Sequence, residues 1–176
     1  MRLIGGMVAM GFGLLGASGA VAADTKPCPA GMICATKPET IADALRAAGF
    51  SADVGKTEKG FTRIKSSASG FKYSIYFEDC DDAKANCASI RFYTDFDKDG
   101  SETLDLANRW NRDKRLGKAY LLDDGSFAIE YDLSTVGGVN AANFKDVITW
   151  WESTLGALSQ FFRDNPAPKA AAKPAA

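Results

Sequence analysis

The residues from Asp95 to Leu106, DFDKDGSETLDL, begin as a calcium-binding loop begins, with aspartates at alternate positions and then glycine. Carboxylates so spaced offer hard oxygen ligands, and such a loop closes on a bidentate glutamate at its twelfth position. Here the twelfth position is Leu106, and the eighth, ordinarily apolar, is Glu102. The stretch also follows a strand pattern, where the motif needs a helix. A plainer reading accounts for every residue: Asp95 ends a strand, Asp97 to Gly100 turn, and Asp99 caps a helix with Glu102 at the capping-box spacing. Weak calcium binding by Asp95, Asp97 and Asp99 is the alternative. Glu78, Asp79, Asp81 and Asp82 read as a solvated hairpin tip.

The chain has no histidine, which removes the commonest general base and zinc ligand and any Ser-His or Cys-His nucleophile within one chain. Its four cysteines, Cys28, Cys34, Cys80 and Cys87, favour local disulfides, Cys28 with Cys34 and Cys80 with Cys87. A four-thiolate zinc site is the rival, but its usual spacing is tighter, and the C-x-x-C of a redox pair is absent. Glu130 and Asp132, on one strand face, are the candidates for a carboxylate-based hydrolase. They stand on the strand's wet side, where water levels pKa values. No catalytic residue, metal or cofactor is assigned.

The elements that carry these residues show in the apolar periodicity. KPETIADALRAAGF reads as a helix with Pro38 at its start, a stripe of Ile41, Ala44, Leu45 and Ala48, and Gly49 as its stop. GFTRIKSS, FKYSIYF and ASIRFYTDF read as strands. In the second and third, Phe71, Tyr73, Ile75, Phe77, Ile90, Phe92, Thr94 and Phe96 face one way. SETLDLANRWNRDKR is a helix with Thr103, Leu106, Ala107 and Trp110 on one side. KAYLL and SFAIEYDL form a hairpin across DDG. A last helix from about Asn140 to Arg163 buries Phe144, Val147, Ile148, Trp151, Leu155, Leu158 and Phe162.

The totals describe one ordinary globular domain: 176 residues, 46% hydrophobic and 24% charged, with 21 basic against 22 acidic side chains. That balance gives no footing for a nucleic-acid partner. Arg2, an apolar run to Leu15 and the small residues of GASGAVAA predict a cleaved secretory leader over residues 1–23, with an uncleaved anchor as the alternative. The mature protein is then periplasmic or secreted, with no stable membrane insertion. Residues 24–37 form a Cys-containing segment, 38–163 the domain, and 164–176 an Ala/Pro/Lys tail predicted to be disordered.

Trp110-Asn111, Arg115, the Asp124-Gly125 turn, the strand through Asp132-Leu133 and Gly137-Gly138-Val139, in that order, resemble the YbjN family of bacterial proteins, labelled sensory transduction regulators. The first helix ending AAGF and the strand SIRFYTDF extend the resemblance over roughly residues 38 to 163. The leader and Cys28–Cys34 mark an exported variant. The resemblance implies an α+β fold similar to type III secretion chaperones: a two-layer, twisted antiparallel sheet with helices on one face. The periodicity predicts five strands in the order α-β-β-β-α-β-β-α. The family transfers no catalytic residue, and it tilts function toward a protein partner or self-association.

Three features are candidate binding surfaces. The wet sheet face carries Lys72, Tyr76, Arg91, Tyr93, Lys118 and Tyr120, a composition suited to protein contact; a plain solvated face is the alternative. A flank of the last helix carries Trp150, Thr154, Ala157 and Phe161, either a docking seam or a wide core contact. Trp110 is expected in the core, and Asn108 and Asn111 are expected to bind neighbouring backbone, with exposed polar contacts as the alternative. The expected function is an exported, non-enzymatic interaction module, regulatory or chaperone-like. The alternatives are a small-ligand or lipid carrier holding its cargo between sheet and last helix, and the hydrolase.

Overall fold

The computed structural model describes residues 23–24 and 26–166. All of the predicted leader but Ala23, and the predicted tail from residue 167 on, lie outside the described residues. Three helices, α1 (Pro38–Ala47), α2 (Leu104–Asp113) and α3 (Ala141–Asp164), accompany six strands: β1 (Asp53–Lys56), β2 (Thr62–Ala68), β3 (Phe71–Glu78), β4 (Ser89–Phe96), β5 (Lys118–Leu121) and β6 (Phe127–Ser134). They pair antiparallel in one sheet of order β1-β2-β3-β4-β6-β5.

The sheet has six strands where the sequence predicts five. The added strand is β1, whose four residues are all exposed. With neither face buried it has no period-two signal to find; pairing with β2 alone makes it a strand. The last helix, expected to end at about Arg163, continues through Asp164.

Alternation builds the core. Ile64, Ile75, Ile90, Phe92, Phe127 and Ile129 are fully buried on one sheet face, against Phe144, Trp151, Leu155 and Leu158 of α3. Trp151 packs on Tyr73 and Phe92 at 5.7 and 5.6 Å between ring centroids. Phe92, Phe127 and Trp151 are all buried between the sheet and α3. Asn140 caps α3, its side-chain oxygen accepting from the Asn143 amide at 2.9 Å.

The cap of α2 is Thr103, whose hydroxyl accepts from the Leu106 amide at 3.0 Å. It is not Asp99. Glu102 instead folds back to accept from the amides of Asp99 and Gly100 at 2.7 and 2.9 Å, and Asp99 accepts from Ser101 at 2.9 Å. The helix starts later because Thr103 is the residue with an extended backbone and a hydroxyl in reach of the first turn. Thr103→Ala is accordingly expected to lower stability by about 1 kcal/mol, and Asp99→Ala to change it by much less; equal losses in urea titrations would contradict this assignment.

Both expected disulfides are formed, Cys28–Cys34 and Cys80–Cys87. The Cys-containing segment is hydrogen-bonded to the stretch that follows β6. Ile33 and Val139 exchange backbone hydrogen bonds of 2.9 Å. The buried Thr135 hydroxyl accepts from the Ala35 amide at 2.9 Å and donates to the Ala88 carbonyl at 3.2 Å.

Candidate functional site

With the apolar residues of each strand turned to α3, the alternate residues stand on the opposite, open sheet face. Antiparallel register sets them in cross-strand rows: Tyr76 beside Arg91 beside Asp132, and Ser74 beside Tyr93 beside Glu130 beside Lys118. Five of the six residues expected on the wet face, Tyr76, Arg91, Tyr93, Lys118 and Tyr120, meet in one cluster. Lys72 stands apart and exposed.

Glu130 is the hub, only 4% exposed. Lys118 Nζ donates to its Oε1 at 2.7 Å; Tyr120 Oη and Arg91 Nη1 donate to its Oε2 at 2.8 and 3.3 Å. Arg91 also reaches Glu78 at 2.6 Å. Its guanidinium lies 5.6 and 5.9 Å from the Tyr76 and Tyr93 ring centroids, and those rings meet edge to face at 5.7 Å. The result is a pre-set arrangement of three phenols, a guanidinium and an ammonium around a buried carboxylate.

Burial by itself would raise the Glu130 pKa. The hydrogen bonds from Lys118 and Tyr120 and the charges of Lys118 and Arg91 outweigh it and hold the carboxyl below its ordinary value. Burial, then the hydrogen bond to Glu130, pushes the Tyr120 phenol up. Burial, then the charge of Asp95, pushes Tyr93 up to about 12. Partial desolvation of its carboxylate, then the Glu130 charge, raises Asp132. An ionised carboxylate that already accepts from three donors is a poor proton acceptor.

The helix flank is divided. Trp150 is 40% exposed, with the Arg115 guanidinium 5.6 Å from its ring. Thr154 is buried, and Phe161 packs on Trp110 at 5.3 Å. The reason is α2 and the turn into β5, which cover that side. Trp110 Nε1 donates to the Gly117 carbonyl at 2.7 Å, and a Cβ on Gly117 would lie 2.8 Å from Ile129 and 3.0 Å from Thr154. Asn111 binds backbone as expected, donating to the Ala119 carbonyl at 2.9 Å and accepting from its amide at 2.8 Å. It thereby holds β5, and so Lys118 and Tyr120, against Glu130.

Two shallow grooves of about 580 Å³ each flank the cluster and share Tyr76. One runs past Lys65, Lys72, Ser74 and Tyr93. The other lies beside the β1–β2 turn, past Lys56, Phe61, Arg63 and Arg91. Arg63 and Phe61 belong to this surface but were not singled out in the sequence; the run TEKGFTR, an aromatic among basic residues, was the signal.

The model of the family described as "YbjN: Putative bacterial sensory transduction regulator" matches residues 37–164. Among solved structures, the chain is similar to one described as "Crystal structure of YbjN, a putative transcription regulator from E. coli". The TM-score is 0.56 at 18% identity, over 76% of this chain and 95% of that one. No curated protein matches the sequence.

Proposed function

The chain belongs to the YbjN family, and from that premise we propose that it is an exported, non-enzymatic protein-interaction module, regulatory or chaperone-like, whose contact surface is the open sheet face. One observation carries the reading: Arg91 packs against both the Tyr76 and Tyr93 rings and donates to a buried Glu130 that also accepts from Lys118 and Tyr120. Aromatic and arginine side chains already fixed in place lose little entropy on contact, and these residue types dominate protein-binding hot spots. The two disulfides favour an oxidising compartment, the periplasm or beyond.

The test is site-specific photo-crosslinking in the expressing cell. A photoreactive phenylalanine analogue at Tyr93 or Tyr76 is expected to give a discrete protein adduct, and one at Lys145, on the exposed side of α3, to give none. Adducts from Trp150 alone would place the contact on the helix flank. Silence from every position would remove the reading.

A further inference from the structure

We propose that the groove beside the β1–β2 turn receives an acidic segment of a partner polypeptide, with an aromatic side chain of that segment seated between Phe61 and Tyr76. This rests on the interaction reading above and specifies the chemistry of the partner.

The groove is built from two parts of the chain held together. Its floor is Arg63, Tyr76 and Arg91, neighbours across β2, β3 and β4. Its wall is the turn from Lys56 to Thr62, closed by the Thr57 amide on the Phe61 carbonyl at 2.8 Å. The disulfide-closed loop braces that wall: Lys84 donates to the Lys59 carbonyl, and its ammonium lies 5.4 Å from the Phe61 ring centroid. A hairpin turn braced in this way is a fixed surface.

Its lining is net basic. Lys56, Lys59 and Arg63 line the groove, and among the described residues none of them is in an ion pair. The lining acids are Glu58 and Glu78, and Glu78 is already taken by Arg91 at 2.6 Å; Lys84 reaches over Phe61 from a loop that also carries Asp79, Asp81 and Asp82. Unpaired cations around two aromatic rings complement carboxylates beside an aromatic side chain. The chain's own C-terminal stretch, 167–176, has the wrong sign: its charged side chains are Lys169 and Lys173. A nucleic acid would need a basic surface extending well beyond one groove, whereas the chain carries a net charge of −1.

The experiment uses the folded, disulfide-bonded protein and fluorescence anisotropy. The probes are a short labelled peptide of glutamates around one phenylalanine, its glutamine counterpart, and a labelled oligothymidylate. The glutamate peptide is expected to bind, more weakly as salt rises, and the glutamine peptide to bind about tenfold or more weakly. The double substitution Lys56→Glu with Arg63→Glu is expected to abolish that preference. Lys59→Glu, at an exposed turn, gives a second reading with little risk to folding. Equal binding of the two peptides, an unchanged preference in both variants, or oligothymidylate binding as tight as the glutamate peptide would each overturn the proposal. If crosslinks from Tyr93 persist under such a result, the interaction reading stands and only the partner chemistry is wrong.

Discussion

Replacing Glu130 by alanine is expected to cost about 2 kcal/mol of folding free energy. The side chain is almost wholly covered and accepts from Lys118, Tyr120 and Arg91. Its removal leaves Tyr120 without its acceptor and Arg91 with only Glu78. Lys118 contributes little of the loss, because its side chain is 67% exposed and water takes over its ammonium. The loss should also depend on pH. The Glu130 pKa is below its ordinary value in the folded state. The stability it supplies is therefore present above the unfolded-state pKa and lost as pH falls through the depressed one. The gap between wild type and Glu130→Gln in urea titrations should accordingly be widest near neutrality and close in acid. Asp132 works with the opposite sign. Its pKa is raised, so its contribution is present at low pH and lost as pH rises through the folded value. Asp132→Asn should slightly stabilise the protein at neutral pH, by a small amount because the residue is exposed. A gap for Glu130→Gln that stays constant from neutral to acid pH would rule out this account of the hub.

Asn111→Ala is expected to cost a similar amount, about 2 kcal/mol, by a different route. The amide makes two hydrogen bonds to Ala119, which is buried, on a strand with no neighbour on its outer side. It stands in for the strand that β5 lacks. Without it, the Ala119 amide and carbonyl lose their partners in a place that water reaches poorly. Aspartate should not rescue, since a carboxylate can accept from the Ala119 amide but sets a negative oxygen against the Ala119 carbonyl. Hydrogen exchange gives the local readout: the Ala119 amide should lose protection in Asn111→Ala while the amides of β3 keep theirs. Unchanged protection at Ala119 would show that β5 is held by β6 alone. Lys118 and Tyr120 leave β5 on either side of Ala119, so the same substitution should also loosen the donors on Glu130.

Much of this molecule is readable from residue pattern. The α3 stripe from Phe144 to Leu158 is buried as its spacing predicts, and β3 and β4 alternate as expected, whereas β6 is buried on both faces from Phe127 to Glu130. The cysteines pair locally. The misses have physical causes. β1 buries nothing, so hydrophobic period cannot reveal it. The helix after Asp99 has two plausible caps four residues apart, and only backbone geometry separates them. The flank of α3 looks like a second apolar line, but whether α2 covers it depends on a packing partner over forty residues away in sequence.

The wet face shows how far composition reaches. Alternation alone puts Tyr76, Arg91, Tyr93, Lys118 and Tyr120 on the solvent side of their strands, because a side chain's face follows from its parity in the strand. Parity says nothing about which strand lies next to which. That β6 inserts between β4 and β5 was decided by the tertiary fold. This order brings Glu130 under Arg91 from one side and Lys118 and Tyr120 from the other, turning a wet-face carboxylate into a buried hub. Local sequence determines a residue's side of the sheet; the long-range pairing of strands determines its neighbours, and the neighbours set its charge state and its role.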